Sequence, residues 1–315
     1  MPTNPFGPRG WTPERLGRLD GRCFVITGAN SGTGFEAARL LLAHGAEVVM
    51  LNRSAERSAE AIGRLRGEFG PEAPVRFHRM DLASLASVRA AAAELLATTP
   101  RIDALICNAA IAQVPERRLT EDGFESQLGV NHLGHFLLAG LLFERIEESG
   151  GRVVEVGSGA YRMGLKRIRF EDPNWERDYT AWNAYAQSKL AQVMTAFELE
   201  RRLRAGGHRA HAFACHPGAA RTNLQDSFGL RDRLLWAVLK WLVAQPAARG
   251  AWPEVMCATE PGLDPAALYG PTRRGETSGP VGPCRLDPCA LDREAAARLW
   301  ALSEEWTGFR WPLRA

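Results

Sequence analysis

The chain has 315 residues, 45% of them hydrophobic and 24% charged, with a net charge of +3. That length and apolar content can fill a large core, while the near balance of charge offers no strong field to nucleic acid or to an anionic lipid surface. Six scattered cysteines, without a CxxC or Cys/His grouping, speak against a zinc site and fit reduced thiols in a cytoplasmic protein.

Residues 1–20 lack the apolar core of a signal peptide and read as an extension ahead of the fold. From there, β-like apolar runs alternate with segments of helical length. The runs "RCFVITGA", "AEVVMLN", "VRFHRMD", "DALICNAA", "RVVEVGS" and "RAHAFACHPG" are apolar through most of their length, as strands covered on both faces must be. Helices are expected between them, including one long segment over 119–148. This βαβ series implies an α/β protein: a single-domain Rossmann fold over 1–315, with a doubly wound parallel sheet of about seven strands and helices on both faces.

In such sheets ligands bind at the carboxyl ends of the strands. The first strand is followed by "TGANSGTG", which places Gly28, Asn30, Ser31, Gly32, Thr33 and Gly34 at a strand-to-helix turn. Glycines there let the backbone approach a pyrophosphate at a helix N-terminus. The second strand ends in Asn52 and Arg53, with no acid to meet a free ribose 2′-hydroxyl. An arginine suits a 2′-phosphate, so NADP(H) is expected in preference to NAD(H).

Further on, "AYAQSK" sets Tyr185 and Lys189 one helical turn apart, where their side chains can meet. An ammonium beside a phenol favours the phenolate and should lower the tyrosine pKa toward the range useful for proton transfer. Ser158 ends the fifth strand and Tyr185 begins the helix after it, so both fall at the carboxyl edge. Glu155 is unexpected inside "RVVEVGS", because an unpaired buried carboxylate is costly; a basic partner, a strand-end position or a second acid near the site are the alternatives. The clusters "KRIR" (166–169) and "RRLR" (201–204) read as solvated faces. The most apolar stretch, "LLWAVLKWLVA" (234–244), contains a lysine and is too short to span a bilayer, so no stable membrane insertion is expected.

Taken in order, "TGANSGTG", "DL" (81–82), "CNAA" (107–110), "VNHLGHF" (130–136), "VGS" ending at Ser158, "YAQSK" (185–189) and "HPGAART" (216–222) resemble the short-chain dehydrogenase/reductase family, within its retinol-dehydrogenase-like and protochlorophyllide-reductase-like branch. The resemblance covers about 200 residues. It implies that Tyr185 is the general acid/base, that Lys189 lowers its pKa and holds the nicotinamide ribose, and that Ser158 orients the substrate oxygen. It also implies that Asn131 holds a water leading from Lys189 to solvent. Asp81, beside Leu82, would contact the adenine; Asn108, Ala109 and Ala110 would line the cofactor; Pro217 and Gly218 would lead to Thr222 on the carboxamide. Thr33 departs from the family's usual hydrophobe, and little effect is expected from it.

After the last motif, residues 223–245 are expected to form an apolar lid over a bulky lipophilic substrate, or a helix packed on the core or at an oligomer interface. A helix at "WPEVMCATE", a short last strand at "LYG", a Pro/Gly-rich structureless loop over 271–292 and a terminal helix at "REAAARLWALSEEW" follow. The resulting expectation is an NADP(H)-dependent oxidoreductase interconverting a ketone or aldehyde and an alcohol, with reduction favoured. Homodimers or homotetramers are common in the family it resembles. The alternatives are a catalytically silent NADP(H) sensor or scaffold and a peripheral membrane enzyme lying on its 234–244 stretch; an intact residue set argues against the first and the low positive charge against the second.

Overall fold

In the computed structural model, which describes residues 4–219 and 245–314, a single sheet carries the molecule. Its strands are β1 (Cys23–Thr27), β2 (Glu47–Asn52), β3 (Val75–Arg79), β4 (Ala104–Cys107), β5 (Arg152–Val156), β6 (His211–Cys215), β7 (Leu268–Arg273) and β8 (Ser278–Pro283). They lie in the order β3-β2-β1-β4-β5-β6-β7-β8. Neighbours from β3 to β7 pair in parallel, and β8 closes the edge antiparallel to β7. The order reverses between β1 and β4, and a crevice opens there above the strand ends.

The central strands are apolar on both faces because both are covered. Phe24, Ile26, Val48 and Met50 pack under α1 (Gly32–Ala43). Val25, Val49 and Leu105 face the other way, toward α3 (Leu85–Thr98), with α2 (Ala55–Phe69) preceding it in the chain. Edge strand β3 departs from the expectation, since only Val75 is buried and Arg79 is exposed. Ser54, Ser84 and Thr180 cap their helices by accepting from an amide three residues on, which explains why those helices start where they do.

The 119–148 segment is not one helix. A short turn at Ser126–Leu128 passes into a π-helical turn at Gly129–Leu133 and then into α4 (Gly134–Glu148). The "YAQSK" helix is α5 (Ala181–Ala205), as its pattern indicates, and the "LAQVMTAF" residues from Leu190 to Ala196 are buried within the chain. Then come α6 (Trp252–Thr259) and the terminal α7 (Arg293–Thr307).

One expectation is overturned at the far edge. Residues 271–292 are structured: they complete β7, turn at Arg274–Glu276, run back as β8 and end in a 3-10 turn at Pro288–Leu291. Proline and glycine tolerate this strand because it is an edge. The N-terminal segment is packed onto that same edge. Trp11 is fully buried, donates its backbone N–H to Val281 O at 2.8 Å and its indole N–H to Glu260 Oε2 at 2.8 Å.

Candidate active site

A cavity of about 560 Å³ lies in the crevice, bounded by the 28–33 turn, residues 108–113, residues 156–163, Trp182, Tyr185, Lys189, and the 216–219 and 275–277 segments. Gly28 has φ +68, and a Cβ there would stand 2.9 Å from Ala109 Cα. At Gly34 a Cβ would meet Asn108 Nδ2 at 2.4 Å and Gly28 O at 2.7 Å. Both positions therefore require glycine for the two strand ends to close up. Ser31, at the N-cap of α1, makes no side-chain bond to the helix, so the first-turn N–H groups are left to a ligand.

The turn after β4 is held from beneath by buried polar groups. Asn131, inside the π-helical turn, accepts from Ile111 N–H and donates to Ile111 O, each at 2.9 Å, and donates to Ser188 Oγ at 2.9 Å. His135 Nδ1 donates to Asn131 O at 2.9 Å, and its Nε2 meets the Thr27 hydroxyl at 2.8 Å. That hydroxyl oxygen in turn accepts from Ala109 N–H at 2.9 Å. A π-turn frees backbone and side-chain groups for such service. The motif "VNHLGHF" marked this segment; the role of His135 lay outside any local signal.

Ser158 caps the 3-10 turn Gly159–Arg162, accepting from Ala160 N–H at 3.2 Å, and its hydroxyl lies beside the Tyr185 phenol, where it favours the phenolate. The expected lowering of the tyrosine pKa is not found. Burial pushes the phenol above its ordinary value, and among the described residues only the Ser158 hydroxyl opposes that. The reason is geometric: Lys189 Nζ lies 6.0 Å from the Tyr185 ring centroid and donates instead to Val156 O at 2.9 Å and Gln192 Oε1 at 2.7 Å. Burial lowers Lys189 to about 8. Among the described residues no arginine or lysine bonds Glu155; its Oε2 accepts from Gln192 Nε2 at 3.0 Å.

Of the other expected cofactor residues, Gly28 through Thr33, Asn108 to Ala110, Pro217 and Gly218 line the cavity. Thr33 donates to Asn108 Oδ1 at 2.8 Å, so it ties the glycine turn to the β4 turn. Asn52 is buried and donates to Ser58 Oγ at 3.1 Å, and Asp81 caps its own turn by accepting from Ala83 N–H at 2.9 Å. Arg53 is exposed, and two other arginines stand on the cavity wall: Arg57, in the first turn of α2, and Arg162, which is already paired with Glu276. Sequence reading missed Arg57 because the helix, not the strand end, carries it over the crevice. Thr222 and residues 223–244 lie outside the described residues.

His216, Glu276 and Cys284 bring one ligand atom each within 4.8 Å of one another. Two features oppose a cation among them. Gly218 N–H donates to His216 Nδ1 at 3.2 Å, which puts the ring proton on Nε2, the atom aimed at the cluster. Arg162 also holds Glu276 Oε2 at 2.7 Å. The cluster braces the 216–218 turn against the β7–β8 hairpin.

A parallel sheet of this order, with its crevice opening on an uncapped helix N-terminus, is the Rossmann arrangement, and a dinucleotide-binding protein is the class that the fold defines. The short chain dehydrogenase family model matches residues 22–170. "Retinol dehydrogenase 14" of Mus musculus is 38% identical over 307 residues, 93% of this chain and 87% of that protein. "Polyprenol dehydrogenase" of Mus musculus is 37% identical over 302 residues, covering 94% and 87%. Among solved structures, an uncharacterised protein from Mycobacterium paratuberculosis superposes with a TM-score of 0.79 at 38% identity, covering 96% of this chain and 100% of that one. The chain belongs to the short-chain dehydrogenase family, in its retinol-dehydrogenase-like branch, and is thus an oxidoreductase of a family that binds a nicotinamide cofactor.

Proposed function

We propose that the protein is an NADP(H)-dependent oxidoreductase that interconverts a ketone or aldehyde with an alcohol on a bulky lipophilic substrate, with reduction favoured. The observation that carries this reading is the Ser158–Tyr185 hydroxyl pair on the wall of the dinucleotide crevice. Tyr185 gives its phenolic proton to the carbonyl oxygen, and Ser158 hydrogen-bonds that oxygen as negative charge develops on it. Because burial keeps the phenol protonated, the protein is set to donate, which supports reduction. The bound nicotinamide supplies the hydride.

Lys189 presents its ammonium to the cavity and holds the ribose, while Asn131 keeps the 108–112 wall in register rather than serving only a water. An apolar patch of Ala112, Ala160 and Trp182 around Tyr185 supports a substrate with a hydrocarbon body. The relatives are named for retinol and polyprenol, both long isoprenoid alcohols. Arg57 on the cavity wall, with no acid at the end of β2, supports recognition of a 2′-phosphate.

Six free thiols suit a reducing compartment, and a cytoplasmic homodimer or homotetramer is part of the reading. Among the described residues no helix is long and apolar enough to cross a membrane. The test is NADPH and NADH oxidation against isoprenoid and other lipophilic aldehydes and ketones, with Tyr185→Phe alongside. Turnover with NADPH that vanishes in a variant still binding the cofactor supports the reading; full activity in Tyr185→Phe overturns it.

A further inference from the structure

Glu155 is a carboxyl within a sheet strand, 3% exposed, that the proton transfer described above does not use. Its Oε2 accepts from Gln192 Nε2 at 3.0 Å, and Gln192 Oε1 accepts from Lys189 Nζ at 2.7 Å. All three side chains are buried. The same ammonium donates to the carbonyl of Val156, the residue after Glu155, at 2.9 Å. Thus β5 and α5 are tied at the lysine twice, once through backbone and once through a carboxylate–amide link. An ammonium has three donors, so one N–H remains for the cavity that Lys189 lines.

We propose that Glu155 is a positioning residue for Lys189: acting through the Gln192 amide, its carboxylate supplies the counter-charge that keeps the buried ammonium protonated and turned to the cavity. This rests on the reading in which Lys189 acts at the cofactor. A lone ammonium in an apolar interior is costly and tends to neutralise. Among the described residues the groups that face it are Glu155 from β5, Cys107 from β4, Cys215 from β6, Glu254 from α6, Tyr185 from its own helix and His135 from α4.

Most of these carry no charge near neutral pH. Burial raises both thiols well above their ordinary value, raises Tyr185, and holds His135 at about 4. Glu254 is pushed to about 8 by burial. Burial raises Glu155 too, to about 7, against the Gln192 bond and the lysine charge; it is the first of the groups that raise Lys189, and the one tied to it through Gln192. The glutamine amide orients and polarises; it does not relay a proton.

The chain has only three lysines, at 166, 189 and 240, so protein labelled with 13C at the lysine ε-carbon gives three signals by NMR. The signal missing from Lys189→Met is that of Lys189. Its titration midpoint is expected to fall by about one pH unit or more in Glu155→Gln, about tenfold in ionisation constant. Gln192→Met, which cuts the link and leaves both charges, should move it in the same direction, and is decisive if Glu155→Gln does not fold. An unmoved midpoint in the folded variant overturns the proposal, as does a midpoint that moves in Glu254→Gln but not in Glu155→Gln. In turnover assays the alkaline limb of kcat should shift with the midpoint while the melting temperature holds, which a merely structural role would not produce. Full turnover in Lys189→Met would overturn the functional reading instead, and leaves the NMR result standing.

Discussion

Asn131 clasps Ile111 by both ends of its amide, accepting from the backbone N–H and donating to the carbonyl at 2.9 Å each. The side chain therefore fixes the cofactor-facing turn after β4 as firmly as a strand pairing would. Asn131→Leu leaves the part-buried Ile111 N–H and O and the buried Ser188 Oγ without these partners. A loss of about 2 kcal/mol or more in unfolding free energy is expected, with weaker cofactor binding. Chemical denaturation and fluorescence titration check it; a variant of unchanged stability would remove Asn131 from this role.

Arg57→Ala should weaken NADPH about tenfold or more while leaving NADH nearly unchanged, because only the phosphorylated cofactor carries the charge that the guanidinium meets. Arg53→Ala, at an exposed position beyond the cavity wall, should have the smaller effect. Equal weakening of both cofactors in Arg57→Ala would sink the 2′-phosphate assignment.

Gly34→Ala drives a methyl to 2.4 Å from Asn108 Nδ2. The glycine turn and the β4 turn must then part, at a cost of about 1–3 kcal/mol, and the cofactor affinity should fall with it. Thermal melts with and without cofactor measure both effects, and a smaller stabilisation by cofactor is the expected signature.

Trp11 fills a buried site between β8 and α6 and holds Glu260 together with Arg15. Trp11→Ala should cost about 3–5 kcal/mol, as expected for emptying a tryptophan-sized site. A variant with wild-type stability would show that the buried indole does not anchor the extension.

Burial lowers His132 from 6.5 to about 3, and its ring accordingly donates a neutral Nε2–H to Ser303 Oγ at 2.8 Å. The unfolded state therefore takes up the proton first as pH falls. The stability this histidine contributes is complete above pH 6.5 and drains away between 6.5 and 3. His132→Asn should remove one proton's worth of slope, about 1.4 kcal/mol per pH unit, from the acid side of the stability curve. Glu155 and Glu254, raised in the fold, act in the opposite direction in both proteins and cancel in the comparison. Identical slopes from pH 6 to 4.5 would contradict the buried neutral ring.

The sequence by itself determined the alternation of strands and helices, the glycine turn at Gly28 and Gly34, and the placing of Ser158, Tyr185 and Lys189 at one edge of the sheet. These follow from signals that are local: apolar runs of strand length, a Gly-rich strand-to-helix turn, a four-residue helical spacing. Which groups Lys189 bonds, what Glu155 faces, that Asn131 serves Ile111, and that Arg57 rather than Arg53 stands on the wall were decided by tertiary structure. So were the β7–β8 hairpin within 271–292, where Pro and Gly mask a strand, and the docking of Trp11 on Glu260, 249 positions away. Such contacts join segments whose separation along the chain leaves no periodicity to read. Whether burial or a neighbouring charge wins at Tyr185 depends on a distance that only the folded packing of α5 against β5 sets.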